Sequence, residues 1–438
     1  MGSAKAILIA GVSSGCGKTT VSSAVVYALK RAGFSVQPFK VGPDYIDPAH
    51  LSHLAGRACR SLDVWMMGEE GVRENFMRGM EGADIGVVEG VGGIYDGLST
   101  TEIASTAQVA KILGIPVVLV IDVWGISRTA AAIVKGIAEF DDVDVRGVIL
   151  NFVGSERHYW MVKESIVEVL PHIRVLGGIK RSKKGFVPER HLGIRQASEI
   201  DWRKRKEALS EIAGQIDLEG LIELAGEVAL KPRGRSFSPV FDIKVAVAQD
   251  VAFSFFYRES MEALEELGAE VYLFSPVAGE GIPPECDALV LPGGYPELFA
   301  DEIMENRRLK EDIKNFVSSG MPVYAECGGL LLLGMYEILP FSIDFKDRPF
   351  LGYAEGKALS SHPFLAEGER VRGHMFHYSR VIERKSITRG YLVKVPSKEL
   401  EFEEGFVANN LFATYLHTNF AFSKNLVYGF MKKAHECS

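Results

Sequence analysis

Short apolar runs rich in β-branched residues alternate, along the first part of the chain, with stretches whose apolar residues recur at helical period. The pattern predicts strands at 6–10, 36–39, 85–89, 117–122 and 148–151, and a helix at 19–32 directly after the first strand. Alternation of this kind is typical of a parallel sheet covered by helices on both faces. We therefore predict an α/β fold with a mainly parallel sheet.

The amino-acid composition of the chain changes near residue 230. Residues 230–239 are polar and basic and contain two prolines and one glycine, which is typical of a linker. Beyond them the alternation resumes, with predicted strands at 243–248, 270–274 and 288–291 and a helix at 260–267. The sequence therefore predicts two α/β domains, at 1–229 and 242–438, joined by a linker at 230–241.

Composition and charge exclude several classes of protein. The 438 residues are 47% hydrophobic and include 49 Lys and Arg against 57 Asp and Glu, a formal net charge of −8, so neither disorder nor a nucleic-acid partner is expected. The longest apolar runs, at 115–120 and 330–333, are shorter than the roughly 18 residues of a membrane span. The first strand leaves no room for a signal peptide, so we expect a cytoplasmic protein with no membrane partner. The five cysteines show no Cys-x-x-Cys spacing, which argues against a zinc site.

A glycine-rich turn follows the first predicted strand. Residues 11–20 read Gly-Val-Ser-Ser-Gly-Cys-Gly-Lys-Thr-Thr, which fits the variant phosphate loop Gly-x-x-x-Gly-x-Gly-Lys-Thr rather than the standard spacing. Glycines let backbone amides approach a phosphate, Lys18 supplies positive charge, and Thr19 would hold magnesium. The alternative is a strand-to-helix turn with an exposed lysine. The nucleotide contacts predicted from this turn and from strand 148–151 are Gly11, Ser14, Gly15, Gly17, Lys18, Thr19, Thr20 and Asn151.

Acidic and amide side chains also lie at or after the ends of other predicted strands, which we expect to be close to the glycine-rich turn. Glu89 ends the run 85–89, where a carboxylate could complete a magnesium site or, alternatively, cap a helix or pair with a cation. Asn151 could contact a nucleobase edge or shape a turn. Asp44 and Asp47 follow the second predicted strand, and Asp96 follows Glu89. Each could orient a metal or an incoming amine, but Asp beside Pro or Gly is also ordinary in turns.

A cysteine stands at a predicted strand-to-helix turn in the second domain. Residues 322–331 read Pro-Val-Tyr-Ala-Glu-Cys-Gly-Gly-Leu-Leu, so Cys327 follows a strand and precedes a helix. Such a turn lifts the sulfur out of the sheet, places it at a helix N-terminus that favours the thiolate, and lets the following amides stabilise an oxyanion. Cys327 is therefore the candidate nucleophile, and Gly328 supplies one candidate oxyanion amide.

A thiolate nucleophile also needs an imidazole that takes and returns a proton. His374, His377 and His417 are the candidates, although a single histidine is more often a packed or surface residue. A second glycine turn, Leu-Pro-Gly-Gly-Tyr-Pro-Glu at 291–297, could supply another oxyanion amide from Gly294. Together the two turns favour acyl transfer from an amide, with ammonia as the leaving group.

Several long motifs resemble one known family. They are Lys-Val-Gly-Pro-Asp-Tyr-Ile-Asp-Pro at 40–48, Glu-Gly-Val-Gly-Gly-Ile-Tyr-Asp-Gly at 89–97, Pro-Glu-Arg-His-Leu-Gly at 188–193, the cysteine turn, Pro-Gly-Gly-Tyr-Pro-Glu at 292–297 and Tyr-Leu-His at 415–417. The second domain resembles a class I glutamine amidotransferase domain, of the branch joined to a dethiobiotin-synthetase-like P-loop ATPase domain. Across both domains the chain most resembles the cobyrinate a,c-diamide synthase family.

The resemblance implies roles for individual residues of the second domain. Cys327 would be the glutaminase nucleophile and His417 its base, which leaves the other two candidate histidines as architectural or substrate-facing residues. Asn419 stands where the third carboxylate of a triad would be, so a dyad is implied. The chain departs from the family motif at Met375, where Glu generally stands between the two histidines.

The resemblance also implies the reaction. In the family, ATP activates an acetate side chain of a tetrapyrrole as an acyl phosphate, and ammonia from L-glutamine then forms the amide. Two amidations are expected, at the c and then the a side chain of cobyrinate, in cobalamin biosynthesis. The implied partners are a tetrapyrrole polycarboxylate, ATP and glutamine, and a homodimer is left open. Guesses for a basic patch that binds the macrocycle are Arg57, Arg60, Arg190 and His191.

Roles in the first domain follow from the same resemblance. Lys18 would bind ATP, and the implied Mg²⁺ ligands are Thr19, Asp44 and Glu89. The carboxylate, the γ-phosphate and ammonia would meet at a place lined by Asp44, Asp47 and Asp96.

Three alternatives remain open on the sequence. Nickel-sirohydrochlorin a,c-diamide synthase, of coenzyme F430 biosynthesis, uses the same chemistry on another macrocycle, and the motifs do not separate the two. A non-catalytic P-loop ATP switch would usually carry a second lysine early in the loop, where this chain has Val12 and Ser13, and would not need the cysteine turn. The third alternative is an inactive amidotransferase domain kept as a scaffold.

Overall fold

The computed structural model describes residues 4–181, 201–229 and 238–437. It divides into two compact units, residues 1–233 and 234–438, and each unit has its own sheet. The motif at 188–193, with Arg190 and His191, lies outside the described residues, as do residues 230–237 of the predicted linker.

Strands and helices alternate along the first unit, because buried apolar runs and amphipathic stretches follow each other in its sequence. The strands are β1 (Ala4–Gly11), β2 (Val36–Val41), β3 (Arg60–Leu62), β4 (Ile85–Glu89), β5 (Val117–Asp122), β6 (Val145–Val153), β7 (Arg174–Lys180) and β8 (Gly226–Val228). The helices are α1 (Lys18–Arg31), α2 (Ile46–Ala55), α3 (Val64–Met80), α4 (Thr106–Leu113), α5 (Arg128–Phe140), α6 (Glu156–Val169), α7 (Trp202–Ala213) and α8 (Leu218–Leu224).

The strands of the first unit form one sheet in the order β3-β2-β4-β1-β5-β6-β7, with β8 beside β1. β8 runs antiparallel to β1 and the other pairs are parallel. The carboxyl ends of parallel strands meet at one edge of a sheet. The loops after β1, β2 and β4 are therefore neighbours, and the register confirms this, since Glu89 is opposite both Ile9 and Lys40.

The second unit begins with alternating strands and helices and continues with a run of strands. The strands are β9 (Ile243–Ala248), β10 (Ala269–Phe274), β11 (Ala288–Leu291), β12 (Val323–Glu326), β13 (Phe341–Ala358), β14 (Arg370–Glu383), β15 (Thr388–Val395), β16 (Leu400–Ala408), β17 (Leu411–Thr414) and β18 (Leu416–Thr418). The helices are α9 (Arg258–Leu267), α10 (Ala300–Glu305), α11 (Arg307–Ser318), α12 (Gly328–Met335) and α13 (Lys424–Cys437).

The second sheet has a parallel half and an antiparallel half. Its order is β10-β9-β11-β12-β17-β16-β15-β13-β14-β18. The pairs from β10 to β17 are parallel and the remaining pairs are antiparallel. β12 lies inside the parallel half, so its carboxyl end opens onto the edge where ligands bind in such sheets.

Each unit buries its own apolar core. The central strands β1 and β5 of the first unit are almost wholly buried, as are β11 and β12 of the second. Helix α12 is apolar throughout and packs into the second core. Among the described residues, no helix combines the length and the apolar character that crossing a bilayer requires.

Candidate functional site

The loop between β1 and α1 follows a tight course that depends on its glycines. Gly15 and Gly17 have φ angles of 77° and 98°, in the left-handed region that residues with a Cβ rarely adopt. A Cβ at Gly11 would lie 2.5 Å from Cys16 Sγ. One at Gly17 would lie 2.1 Å from Asn151 Nδ2. The loop brings its backbone amides to the N-terminus of α1, which is the arrangement that binds phosphate.

The side chain of Lys18 turns back toward this loop. Its Nζ donates to the carbonyl oxygen of Ser13 at 3.0 Å and to that of Gly92 at 2.5 Å, so it joins the loops that follow β1 and β4. The side chain is buried, and burial lowers the pKa of Lys18. A cation held in this way by carbonyl oxygens of the loops suits the phosphates of a nucleotide. Ser14 lies in the exposed part of the loop and Thr20 in the first turn of α1.

Polar side chains from four elements meet beside the loop. Thr19 Oγ1 on α1 donates to Glu89 Oε1 on β4 at 2.7 Å and lies 3.3 Å from Asp47 Oδ2 on α2. Lys40 Nζ on β2 lies 2.6 Å from Asp47 Oδ2 and 2.7 Å from Glu89 Oε1. The pairing of β2 with β4 sets this geometry, because Lys40 is opposite Glu89 in the sheet.

The acidic cluster of Asp47 and Glu89 shares one buried cation, Lys40. Lys40, Asp47 and Glu89 are 3%, 4% and 0% exposed. Although burial disfavours the ammonium, the carboxylates of Glu89 and Asp47 hold the pKa of Lys40 well above its ordinary value. Burial raises the pKa of Glu89. Burial acts on Asp47 in the same direction, but Lys40 outweighs it and lowers the pKa of Asp47.

The same cluster fits a magnesium ion. Asp47 Oδ1 and Glu89 Oε2 are buried and have no hydrogen-bond partner among the described residues. Together with the Thr19 hydroxyl they are hard oxygen donors, which Mg²⁺ prefers. Within the described ranges, no group of three or more His, Cys, Asp or Glu side chains could hold a metal by itself. Phosphate oxygens and water would therefore complete the shell, as is usual for Mg²⁺ bound with a nucleotide.

Asp44, the other predicted metal ligand, caps a helix. Its Oδ1 accepts from the N–H groups of Ile46 and Asp47 at 2.8 and 3.1 Å, at the start of α2. Its Oδ2 lies 3.9 Å from Lys40 Nζ, so the residue borders the acidic cluster. A metal contact from Asp44 stays a prediction.

Asp96 and Asn151 shape the neighbouring loops. Asp96 Oδ2 accepts from the N–H of Gly93 at 2.9 Å, within the glycine-rich segment after β4. Asn151 Nδ2 donates to the carbonyl oxygen of Cys16 at 2.8 Å and so ties the phosphate loop to β6. Both side chains thus have turn-shaping contacts, and their predicted contacts with substrate and nucleobase stay predictions.

Cys327 stands at a sharp turn between β12 and α12. Its φ of 43° and ψ of −96° are rare for a residue with a Cβ, so the backbone is strained there, as it often is at a nucleophile. The sulfur lies at the N-terminus of α12, the end of a helix that attracts negative charge. Cys327 is 5% exposed, and its Sγ lies 3.7 Å from the carbonyl oxygen of Phe376 on β14.

His417 is the candidate histidine that the fold brings to the cysteine. Strand β18 carries it, and its imidazole is hydrogen-bonded to the Cys327 side chain. A Cβ at Gly293 would lie 2.4 Å from His417 Cε1, so the glycine leaves room for the ring. Although burial disfavours the imidazolium, the Cys327 thiolate and the Glu326 carboxylate outweigh it and raise the pKa of His417 to about 10. The arrangement suits a thiolate–imidazolium pair.

The two predicted oxyanion amides approach each other closely. A Cβ at Gly328 would lie 2.7 Å from the amide nitrogen of Gly294. The N–H of Gly329 donates to the carbonyl oxygen of Pro292 at 2.9 Å, which ties α12 to the glycine turn. Within residues 238–437, the N–H groups of Gly294 and Gly328 donate none of the backbone hydrogen bonds of turns, loops and caps. Both amides therefore stay candidates for stabilising an oxyanion.

The other two candidate histidines are packed inside the unit. His374 stacks on His417 with ring centroids 4.9 Å apart, and burial lowers the pKa of His374 well below its ordinary value. His377 stacks on Tyr415 at 3.8 Å, and its Nδ1 lies 2.7 Å from the carbonyl oxygen of Ser379. Burial lowers the pKa of His377 to about 4. Both rings are neutral near neutral pH.

Two residues of these sites, Lys40 and Glu326, had no predicted role. Lys40 is the penultimate residue of β2, and Glu326 is the last residue of β12, directly before the cysteine. A charged residue at the carboxyl end of a buried strand is itself a signal, because burial requires a partner. Each has at least one partner far along the chain: Glu89 for Lys40, and Thr418 for Glu326.

Two family descriptions match the chain. The CobQ/CobB/MinD/ParA nucleotide binding domain matches residues 7–194, and the CobB/CobQ-like glutamine amidotransferase domain matches residues 244–425. Curated relatives match nearly the full length. The cobyrinate a,c-diamide synthase of Caldanaerobacter subterraneus subsp. tengcongensis is 39% identical over 433 residues, which cover 95% of each chain. That of Thermoplasma volcanium is 38% identical over 431 residues, which cover 94% of each chain.

The chain belongs to the cobyrinate a,c-diamide synthase family. A third relative with the same name, from Priestia megaterium, is 37% identical over 444 residues, covering 96% of this chain and 95% of that one. Membership of the family confirms the predicted fold class, a P-loop nucleotide-binding domain followed by a glutamine amidotransferase domain. It also confirms the predicted enzyme class, a glutamine-hydrolysing carbon–nitrogen ligase. A non-catalytic ATP switch and an inactive scaffold are thereby disfavoured.

Proposed function

We propose that this chain uses ATP and L-glutamine to convert the c and then the a acetate side chain of cobyrinate into amides, a step of cobalamin biosynthesis. Relatives that match nearly its full length carry the name of this reaction. The observation that carries the proposal is the presence in one chain of a strained, buried cysteine bonded to a histidine and of a phosphate loop beside buried carboxylates. The first feature suits release of ammonia and the second suits activation of a carboxylate.

Ammonia release is assigned to the second unit. Cys327 Sγ attacks the amide carbon of glutamine, and the N–H groups of Gly294 and Gly328 stabilise the resulting oxyanion. The carbon–nitrogen bond then breaks while His417 gives its proton to the nitrogen, which leaves as ammonia. The remaining glutamyl thioester is hydrolysed: neutral His417 takes a proton from water, the hydroxide attacks the acyl carbon, and the thiolate leaves with glutamate as product.

Carboxylate activation is assigned to the first unit. A carboxylate oxygen of the substrate attacks the γ-phosphorus of ATP, the bond to the β-phosphate oxygen breaks, and ADP leaves. Lys18 and the amides of the glycine loop bind the phosphates. Mg²⁺, held by Thr19, Asp47 and Glu89, would neutralise phosphate charge when bound. Ammonia then attacks the acyl carbon, the carbon–oxygen bond to phosphate breaks, and the nitrogen loses a proton to give the amide.

Replacing the nucleophile separates the two half-reactions. Cys327→Ser should lose amide formation with glutamine and retain it with added ammonium chloride, because the sulfur has no part in carboxylate activation. Cys286→Ser is a matched control, since Cys286 is another buried free cysteine of the second unit and has no step in the mechanism. It should behave as the wild type. Mass spectrometry of the tetrapyrrole counts the amides, and glutamate release is measured in parallel.

The same assay tests the choice of macrocycle. Cobyrinate and nickel-sirohydrochlorin are offered separately with ATP and glutamine, and we expect amides on cobyrinate. Amidation of nickel-sirohydrochlorin alone would contradict the proposed substrate while leaving the chemistry intact. Equal glutamine-dependent synthesis by Cys327→Ser and the wild type would contradict the role of the cysteine.

A further inference from the structure

Glu326, the residue directly before Cys327, is a buried carboxylate with one oxygen fully engaged. It ends β12 and is 1% exposed, so its charge needs partners within the fold. Its Oε1 accepts from the Tyr324 hydroxyl at 2.8 Å and from the N–H and hydroxyl of Thr418 at 3.0 and 2.9 Å. Three donors on one oxygen fix the orientation of the carboxylate.

The second oxygen of this carboxylate faces the candidate base. Glu326 Oε2 lies 3.6 Å from His417 Nδ1, and His417 is 1% exposed. The separation is slightly longer than a hydrogen bond, as catalytic contacts often are before substrate binds. The approach is set by the strands, because Thr418, which bonds the other oxygen, is the next residue of β18.

Position 419, where a triad carboxylate would be expected after the histidine, does not supply this contact. Asn419 carries no charge, and its Oδ1 accepts from the N–H of Ala421 at 3.1 Å. The amide side chain therefore shapes the turn that follows β18. The fold instead supplies a carboxylate from the strand that carries the nucleophile.

The two neighbouring histidines do not compete with Glu326 for this role. Cys327 is hydrogen-bonded to the imidazole. His374 and His377 also act on the ring electrostatically, but burial lowers the pKa of both, so they carry no charge near neutral pH. The Glu326 carboxylate is a negative charge that acts on the imidazole of His417, together with the Cys327 side chain.

We propose that Glu326 is the positioning residue of the glutaminase site, whose carboxylate accepts the Nδ1 proton of His417 and thereby directs Nε2 at Cys327 Sγ. The inference rests on the glutaminase function proposed above. An imidazole that keeps its proton on Nδ1 has Nε2 available to receive the sulfur's proton and to return it to the leaving nitrogen. A triad completed from the residue before the nucleophile replaces the dyad that the sequence implied.

The variant that tests this role is Glu326→Gln. It keeps the shape of the side chain but reverses the direction of its hydrogen bond with His417. The amide oxygen can still accept from Tyr324 and Thr418, so the amide NH₂ faces His417 Nδ1 and favours the tautomer protonated on Nε2. That tautomer cannot take a proton from the sulfur. We expect kcat of glutamine hydrolysis to fall by on the order of 10²- to 10⁴-fold with little change in KM, and ammonia-dependent synthesis to match the wild type.

The pH profile distinguishes positioning from a merely structural effect. The carboxylate stabilises the imidazolium, so its loss lowers the pKa of His417, and the alkaline limb of glutamine hydrolysis should move to lower pH. Glu326→Asp keeps the charge and should return the limb toward its wild-type position. Glu404→Gln is the matched control: Glu404 is also buried in this unit and accepts from the N–H of Tyr415 at 2.8 Å, and its loss should leave the limb unmoved.

A measurement on the wild type covers the case in which Glu326→Gln fails to fold. Nitrogen-15 NMR of labelled histidine reads the protonation of each ring nitrogen, and the His417 signals are identified by their absence in His417→Gln. We expect Nδ1 to stay protonated from about pH 6 to about pH 9. A ring protonated on Nε2 alone would overturn the inference.

Two kinetic outcomes would also overturn the inference. The first is a Glu326→Gln enzyme whose kcat and pH profile match the wild type. The second is that Glu326→Gln and Glu404→Gln lose the same activity and that the alkaline limb moves in neither variant. Failure of the proposed function looks different, because Cys327→Ser would then retain glutamine-dependent synthesis. If Cys327→Ser behaves as expected and Glu326→Gln does not, only the positioning role fails.

Discussion

Lys40 shares one ammonium between two buried carboxylates, at 2.6 Å from Asp47 and 2.7 Å from Glu89. Without it the cluster would hold two negative charges in a region closed to water. The attraction of a buried pair offsets the cost of desolvation only while both signs are present. Lys40 therefore keeps the candidate metal ligands charged and in place before any cation arrives.

Lys40→Met should destabilise the first unit strongly. The substitution conserves much of the volume and leaves Asp47 and Glu89 without their cation, so we expect the free energy of unfolding to fall by about 3–5 kcal/mol. Urea unfolding measures it. Lys111→Met is a matched control, because Lys111 also bridges two carboxylates, at 2.6 and 2.7 Å, but from a more exposed position, and its loss should cost far less. Equal losses in the two variants would contradict the role of burial.

Individual site residues were predictable where a local pattern carries their chemistry. Lys18 and Thr19 follow from the glycine loop, and Cys327 follows from the strand, turn and helix around it. Lys40 and Glu326 were not, because each has a partner from far along the chain: Glu89 is opposite Lys40 in the sheet, and the N–H of Thr418 donates to Glu326. A sequence shows that such a charge is present, but not which oxygen or nitrogen it faces.

At the scale of elements, two turns build the glutaminase site against each other. The strained turn at Cys327 lifts the sulfur to the end of α12, and the glycine turn after β11 lies across it. Gly293 is the point of closest approach to the base, since a Cβ there would lie 2.4 Å from His417 Cε1 and 3.1 Å from Phe255 Cβ. Because Gly293 has no side chain, the imidazole ring of His417 can lie at this position.

Gly293→Ala should displace the imidazole and slow glutamine hydrolysis. A shift of about 1 Å in a catalytic group costs on the order of 10²-fold in rate, so we expect a loss of that size in kcat, with ammonia-dependent synthesis retained. Gly136→Ala is the control, because a Cβ at that glycine of α5 would meet no atom within 4 Å. It should leave glutamate release unchanged. A fully active Gly293→Ala enzyme would show that the ring has another position from which it works.

Elements were predictable where strands are buried on both faces. Strands at 85–89, 117–122, 243–248 and 288–291 were predicted with the bounds that the structure has, since continuous apolar runs mark them. The long strands β13 and β14 were not predicted. Both are partly exposed, and β14 carries charged residues along its length, so they lack the apolar run on which the other predictions rested.

At the scale of the whole molecule, each unit carries one set of reactive groups. Lys18, Thr19 and Glu89 lie in the first unit, and Cys327 and His417 in the second. This division predicts that substitutions in the two units have different effects. One in the first unit should affect amide formation with glutamine and with ammonia alike, and one at the glutaminase site should affect amide formation with glutamine alone. An assay with both nitrogen sources distinguishes the two cases.

Lys18→Ala should abolish amide formation with glutamine and with ammonia alike. The side chain is the cation of the phosphate loop, so its loss removes carboxylate activation, which both nitrogen sources require. Glutamate release without ATP should match the wild type, because the cysteine and its base lie in the other unit. Lys30→Ala, at an exposed position of the same helix, is the control and should stay active. Ammonia-dependent synthesis that survives in Lys18→Ala would contradict the assignment.

The sulfur of Cys327 lies 3.7 Å from the carbonyl oxygen of Phe376, and the residue is only 5% exposed. Burial of this degree limits how readily oxidants reach a reactive sulfur, since susceptibility follows access as well as charge. The position of Cys327 within the fold thus also shields its sulfur from chemical damage.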